Sequence, residues 1–171
     1  MSRRVSLREF QEGLAGRLKA AATEAAPSAR LGFEAGGEHW LLKLEGSGEV
    51  LPVPAIQTVP LTRPWYLGVA NVRGVLYSVS DFGAFLGAGA TPRGPQNRML
   101  LVGQPYSVNC ALLVSRLAGL RSIAELTPEP MDELAAGRAL ASWRDKEGRL
   151  WRELDVERLI AAEDFLDIAV H

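Results

Sequence analysis

Cysteine and histidine, which often supply the thiol nucleophile and the general base of an enzyme, are rare in this sequence. The 171 residues include one cysteine, Cys110, and two histidines, His39 and His171. Nucleophilic catalysis needs a hydroxyl or thiol beside a base, and no serine, cysteine or carboxylate pattern around either histidine suggests such a pair. Cys110 lies in the largely apolar run 108–114, which is typical of a buried structural thiol. We therefore expect a protein that is not an enzyme.

The usual sequence patterns for metals, nucleotides and nucleic acids are also missing. A single cysteine offers neither a metal cluster nor an intramolecular disulfide. No G-x-x-x-x-G-K-[ST] loop is present to hold phosphates. Lysine and arginine number 19 against 20 acidic residues, for a net charge of −1, whereas a nucleic-acid-binding surface needs a basic excess. We expect no cofactor, no metal and no nucleic-acid partner.

Three charged side chains occupy positions that indicate a structural or binding role. Asp81 and Asp155 each follow a predicted strand and precede an apolar helical run, so we expect both to cap helices. Arg73 lies between Val72 and Gly74 at a predicted turn, where a planar guanidinium can make forked contacts to carboxylates or carbonyls. Two interpretations of Arg73 stay open: it stabilises its own turn, or it contacts a partner protein.

The N-terminal residues 1–27 predict an amphipathic helix. Ser6 followed by Glu9 fits a capping box. Apolar residues then recur at helical spacing and form one stripe, made of Leu7, Phe10, Leu14 and Leu18. Two docking partners for this stripe stay open, the body of the protein and a helix of another protein.

No segment of the sequence is apolar enough to suggest a membrane span or a signal peptide. Residues 5–22 contain five charged side chains, which leaves no apolar core for a signal peptide. Nowhere do 18 apolar residues run together. We expect a cytoplasmic protein without direct membrane insertion.

Short alternating segments typical of β-strands dominate the rest of the chain. Val75, Tyr77 and Val79 alternate with more polar residues, as expected for a strand. Other strand-like runs occupy residues 31–33, 40–44, 99–102, 108–114, 117–123, 139–143 and 150–154. The Gly- and Pro-rich residues 87–97 predict a loop, which is the best candidate for a crossing between two lobes.

A weak internal repeat supports a division into two related lobes. Residues 74–87 align with 148–161, so that Asp81 matches Asp155. The predicted hairpin 31–44 aligns at a similar offset with 99–112. Each lobe is expected to be a small strand-rich unit that ends in a helix.

Residues 64–86, PWYLGVANVRGVLYSVSDFGAFL, resemble the core motif of the CheW family. That motif reads roughly Y-hydrophobic-x-G-hydrophobic-x-N-hydrophobic-R-G-x-hydrophobic-x-P-hydrophobic-x-D-L. The segments 48–50 and 114–120 resemble further motifs of the family, and the resemblance covers about residues 28–162. Departures such as Val72 in place of leucine and Ser78 in place of proline look more like the PilI branch, which serves type IV pili and twitching motility.

The resemblance implies a mainly β fold of two packed five-stranded SH3-like barrels, with an N-terminal and a C-terminal helix. The implied organisation is an N-terminal helix at 1–27, a CheW-like domain at 28–162 with the crossing between lobes at 87–97, and a C-terminal tail at 163–171.

The resemblance also implies an adaptor that couples a chemoreceptor to a CheA-type histidine kinase. Its implied partners are the regulatory domain of the kinase and the cytoplasmic tip of a methyl-accepting chemoreceptor, at receptor arrays near the inner membrane. By resemblance Arg73 lies near the receptor-binding groove and Glu49 matches a position of partner contact. The predicted interaction residues are Glu49, Asn71, Val72, Arg73 and Gly74.

Two other functions stay open. One is a scaffold of the same fold that binds signalling proteins without a kinase. The other is a small enzyme that uses the groove between the lobes, which would require a convergent acid, base or metal set; the sequence shows none.

Overall fold

The computed structural model describes residues 28–46 and 48–171, and the helix predicted within 1–27 lies outside this described part. Eleven strands, three short α-helices and three one-turn 3₁₀-helices are present in the described part. The strands are β1 Ala29–Ala35, β2 Glu38–Lys43, β3 Val50–Pro52, β4 Tyr66–Val72, β5 Val75–Asp81, β6 Arg98–Leu101, β7 Cys110–Val114, β8 Arg116–Ser122, β9 Thr127–Glu129, β10 Ala139–Arg144 and β11 Leu150–Leu154. The helices are α1 Phe82–Phe85, α2 Val156–Ala161 and α3 Glu163–Leu166.

The strands form one sheet of six and one sheet of five. The six-stranded sheet has the order β8-β1-β2-β11-β10-β9, and the five-stranded sheet has the order β3-β6-β7-β5-β4. The mainly β architecture is confirmed, but the division is six and five rather than five and five. The extra strand is β9, which pairs with β10. In the five-stranded sheet, β4 takes the place that β10 has in the other sheet, and its outer side has only an isolated bridge, between Gln57 and Val69.

The two sheets share one pairing pattern. Each sheet contains two antiparallel hairpins that lie side by side. They are β1–β2 and β10–β11 in the six-stranded sheet, and β6–β7 and β4–β5 in the five-stranded sheet. The parallel pairs are β2 with β11 and β7 with β5. The segments that align in the internal repeat, 74–87 with 148–161 and 31–44 with 99–112, therefore form equivalent elements of the two sheets.

The chain changes sheet at two places. It leaves the six-stranded sheet between β2 and β3, at residues 44–49, and returns at Ser115, between β7 and β8. The loop 87–97, predicted as the crossing between lobes, instead joins α1 to β6, and the strands on either side of it belong to the same sheet. Its Gly and Pro content correctly predicts a loop, but composition does not specify which strands a loop connects.

Asp81 and Asp155 are the N-caps of α1 and α2, as predicted. The Asp81 carboxylate accepts from the Ala84 N–H at 3.1 Å, and the Asp155 carboxylate accepts from the Arg158 N–H at 3.0 Å. Asp81 also accepts from the N–H of Thr91 at 2.8 Å and its hydroxyl at 2.6 Å, which ties the loop 87–97 to the sheet.

The larger hydrophobic core joins both sheets and all three helices. Its largest members are fully buried aromatic side chains, and Trp40 packs edge-on to Phe82 with ring centroids 5.1 Å apart. A smaller cluster lies on the five-stranded sheet and includes Tyr77, Val79 and Met99. None of the described helices is long and apolar enough to cross a membrane.

Candidate protein-interaction site

The hairpin between β4 and β5 turns at Arg73 and Gly74. Their φ angles are 52° and 84°, the two consecutive positive values of a type I′ turn, whose twist matches that of the flanking strands. Glycine adopts such angles without steric cost, whereas arginine does so at some cost. The Gly74 N–H donates to the Asn71 side-chain oxygen at 2.9 Å, which helps to hold the turn closed.

The Arg73 side chain reaches a carboxylate from a distant part of the chain. Its Nη1 donates to Glu49 Oε2 at 2.9 Å, and its Nη2 donates to Glu49 Oε1. Glu49 directly precedes β3, and its backbone carbonyl accepts from the Leu101 N–H at 2.9 Å. The two forked hydrogen bonds fix the plane of the guanidinium.

This ion pair lies at the surface. The Arg73 side chain is 72% exposed and the Glu49 side chain 33%. The hydrogen bond and charge of Glu49 raise the pKa of the Arg73 guanidinium. Because solvent and salt screen an exposed pair, it contributes little to folding stability. Arg73 therefore presents a positive charge of fixed orientation to the solvent.

Two exposed apolar side chains lie in the same hairpin. Val75 is 40% exposed and Leu76 is 59% exposed. Val75 pairs with Val72 and Leu76 pairs with Asn71. Exposed apolar groups beside an arginine are typical of surfaces that bind other proteins. We call this the hairpin surface, defined by Glu49, Asn71, Val72, Arg73, Gly74, Val75 and Leu76.

The structure brings all five predicted interaction residues together, but gives them different roles. Asn71 and Gly74 build the turn, and Val72 packs against the smaller core. Glu49 and Arg73 form the exposed pair. Sequence reasoning missed Val75 and Leu76. The sequence could have identified Leu76, because alternate residues of a strand share a face and Leu76 alternates with the polar residues Ser78 and Ser80.

The side chains that could carry out chemistry are engaged elsewhere. Burial raises the pKa of the Cys110 thiol to about 12, so it stays protonated at neutral pH and is a poor nucleophile. His39 Nε2 lies 3.1 Å from the Glu34 carboxylate, and its ring packs on Trp151. Among the described residues, no group of three or more histidine, cysteine, aspartate or glutamate side chains is arranged to hold a metal ion.

The equivalent hairpin of the other sheet, between β10 and β11, carries its own arginine–glutamate pair. Arg144 Nε donates to Glu129 Oε1 at 2.7 Å, and its Nη1 donates to the Gly148 carbonyl at 2.7 Å. The Arg144 side chain is 41% exposed, less than that of Arg73. This pair joins the same two residue types as the pair at the hairpin surface, although only one of its hydrogen bonds goes to the glutamate, and Arg144 provides a control for Arg73.

Comparison with known proteins gives consistent results. The family model of the CheW-like domain matches residues 30–164. Protein PilI of Pseudomonas aeruginosa strain PAO1 is 30% identical over 145 residues, covering 82% of this chain and 79% of PilI. The crystal structure of the scaffolding protein TtCheW from Thermoanaerobacter tengcongensis aligns with a TM-score of 0.64 and 19% identity, over 76% of this chain and 90% of that chain. At 19% identity this last likeness shows the fold alone.

Proposed function

Since this chain belongs to the CheW-like domain family, we propose that it is a chemosensory adaptor that couples a chemoreceptor to a CheA-type histidine kinase. The family and the PilI relative both support an adaptor. The observation that carries the proposal is the exposed, forked pair of Arg73 and Glu49 on the hairpin surface. The adaptor itself catalyses no reaction.

The proposed partners are the cytoplasmic tip of a methyl-accepting chemoreceptor and the regulatory domain of the kinase. At the hairpin surface, Glu49 holds the Arg73 guanidinium before a partner arrives, so less side-chain entropy is lost on binding. Arg73 has a third nitrogen, Nε, and further N–H donors for carbonyls or carboxylates of a partner helix. Val75 and Leu76 supply apolar contact area beside it. A receptor change transmitted through these contacts would bias the kinase.

The pilus branch is the more specific part of this proposal. The 30% identity to PilI supports a role in the chemosensory system of type IV pili and twitching motility. In that setting the protein would work in the cytoplasm, at receptor arrays near the inner membrane.

The charge-reversing substitution Arg73→Glu tests the role of the hairpin surface. We expect affinity for a purified receptor-tip fragment to fall by about tenfold or more, equivalent to about 1.4 kcal/mol, because the new carboxylate removes the donors and repels Glu49. Calorimetric titration measures the affinity, and circular dichroism checks the fold. The control is Arg144→Glu in the equivalent hairpin, which should leave the affinity unchanged. A folded Arg73→Glu protein with unchanged receptor affinity would sink this assignment.

A charge swap separates the two interpretations of Arg73. The double variant Glu49→Arg, Arg73→Glu restores an opposite-charge pair at the turn but moves the positive charge to position 49. If Arg73 contacts the receptor directly, the double variant stays weak. Recovery of full affinity would instead assign Arg73 the role of stabilising its own turn.

A further inference from the structure

A groove of about 300 Å³ opens between the end of β2, the start of α2, residue 140 of β10 and residues 105–106. Its floor is apolar and buried, and it is made of Leu42, Leu154 and Val156. We call it the β2–α2 groove. It shares no residue with the hairpin surface, so the adaptor contacts proposed above do not account for it.

An exposed tyrosine lines the β2–α2 groove and is carried by a tightly bonded loop. Tyr106 is 42% exposed. The N–H groups of Tyr106 and Val108 both donate to the Gly103 carbonyl, at 3.0 and 2.9 Å. Ser107 has a φ of 57°, a left-handed angle that is costly for a residue other than glycine, and backbone strain of this kind clusters at functional sites. Tyrosine is enriched among the residues that dominate protein–protein binding, and the closed loop presents Tyr106 in advance of binding.

An irregularity of β10 brings an exposed leucine to the same groove. Leu140 is 45% exposed and lines the groove. Ala139 pairs with Leu154 and Ala141 pairs with Glu153, so Leu140 is the extra residue at this register shift. Such a bulge re-aims a side chain and is frequent beside functional sites. Two separate departures from regular backbone therefore place apolar side chains at the β2–α2 groove.

The rim of the β2–α2 groove is mainly acidic. Among the described residues that line it, Glu45, Asp155 and Glu157 stand against one basic side chain, Lys43. The Asp155 carboxylate caps α2, whereas Glu45 and Glu157 are exposed to solvent. The rim therefore presents net negative charge around an apolar floor.

We propose that the β2–α2 groove binds an amphipathic helix of net positive charge on another protein. Apolar side chains of the helix pack on the floor and against Tyr106 and Leu140, while its basic side chains meet Glu45 and Glu157. The rim selects the sign of the partner, because an acidic helix would bring like charges together. At about 300 Å³ the groove is at the small end of ligand pockets, a size that suits the anchoring side chains of a helix.

NMR titration of the full-length protein with three synthetic helical peptides tests the proposal. The peptides share one leucine stripe and differ only in the polar face, which carries lysine, glutamine or glutamate. We expect the lysine peptide to bind with a dissociation constant of about 100 μM or tighter. It should shift the amide signals of residues 42–45, 105–106, 140 and 154–157, with little change in the hairpin 71–76. The glutamine peptide should bind at least about threefold more weakly, and the glutamate peptide should not bind. Equal binding of the three peptides, no binding of the lysine peptide, or shifts centred elsewhere would overturn the proposal.

Matched substitutions locate the site. Leu140→Ser removes apolar surface and should weaken binding of the lysine peptide by about tenfold, whereas Leu120→Ser should leave it unchanged. Leu120 is 55% exposed and lies on β8, outside the groove. The charge reversal Glu45→Lys, Glu157→Lys should invert the preference, so that the glutamate peptide binds and the lysine peptide does not. Circular dichroism checks the fold of each variant. Equal losses from Leu120→Ser and Leu140→Ser, or an unchanged preference for lysine after the charge reversal, would show that the peptide does not bind as proposed.

Two controls without peptide identify any other occupant of the β2–α2 groove. Dilution of the protein should leave the groove signals unchanged; a shift that depends on concentration would show that a second copy fills the groove. Leu14→Asp, in the N-terminal apolar stripe, should likewise leave these signals unchanged, and a shift would show that the chain covers its own groove. Either shift overturns the proposal.

Discussion

At the scale of single residues, Arg152 is a buried guanidinium held by two carboxylates. The Arg152 side chain is 5% exposed; its Nη1 donates to Glu38 Oε2 at 2.7 Å, and its Nε donates to Asp132 Oδ1 at 3.0 Å. The guanidinium also lies over the Trp40 ring. Because a buried charge is costly unless it is paired, these two acids let Arg152 reside beside the core.

This arrangement predicts a dependence of stability on pH. The hydrogen bonds from Arg152 hold the pKa of the Asp132 carboxyl below its usual range. A lowered folded-state pKa stabilises the protein above the unfolded-state pKa, near 3.9, and this stabilisation is lost as the pH falls through the folded-state pKa. Asp132→Asn should therefore be less stable than the wild type at pH 7, and the difference should shrink below about pH 4.

Urea unfolding at pH 7 and at pH 3 measures this difference. Asp164→Asn is the matched control, since Asp164 accepts from Arg138 at 3.0 Å with a side chain that is 58% exposed. At pH 7, Asp164→Asn should change the free energy of unfolding by less than Asp132→Asn does. A difference between wild type and Asp132→Asn that is equal at both pH values would contradict this role of Asp132.

At the scale of elements, the two hairpin glycines of β4–β5 serve different purposes. Gly68 lies at a register shift in β4 with φ of 131°, and a Cβ there would come within 2.0 Å of the Gln57 carbonyl oxygen. Gly74 has φ of 84°, and a Cβ there would meet nothing within 4 Å. Gly68 is therefore required by close packing of the backbone, and Gly74 only by the turn.

The two glycine-to-alanine substitutions should differ in cost. Gly74→Ala should lower the free energy of unfolding by only about 1–2 kcal/mol, the cost of a left-handed backbone angle. Gly68→Ala should cost clearly more, because the backbone at Gln57 must also move. Chemical denaturation measures both, and equal costs would show that the contact with Gln57 relaxes freely.

The C-terminal helices are anchored by an aromatic cluster. Phe165 of α3 is 6% exposed and stacks on Trp65 with ring centroids 5.8 Å apart, and it packs edge-on to Phe85 at 5.2 Å. The tail after α3 pairs with residues 61–63, where the Arg63 N–H donates to the Ile168 carbonyl at 2.8 Å. The C-terminal segment is therefore part of the folded domain.

Phe165→Ala should destabilise the protein by about 3–5 kcal/mol, because it leaves a cavity in this cluster. The neighbouring Leu166 is 60% exposed, so Leu166→Ala should change stability by no more than about 0.5 kcal/mol. Thermal or urea unfolding of both variants gives the comparison. Similar losses for the two would mean that the cluster does not anchor α3.

At the scale of the whole molecule, local patterns predicted local features well. Asp81 and Asp155 could be recognised as caps because a cap depends only on the residues that follow within one turn. The contact between Arg73 and Glu49 could not be derived from spacing, since it joins residues 24 positions apart, and β3, which follows Glu49, pairs with β6 and not with the hairpin. The places where the chain changes sheet escaped prediction for the same reason, because strand pairing is set by distant partners. The motif at 64–86 nevertheless identified the family and located the hairpin surface.

Calorimetric titration with the regulatory domain of the cognate CheA-type kinase tests the proposal that this chain is the adaptor of a kinase. We expect one-to-one binding with a dissociation constant at or below the micromolar range, near −8 kcal/mol. Absence of binding up to about 100 μM, roughly −5.5 kcal/mol, in a folded protein would contradict it and favour a scaffold of the same fold with other partners.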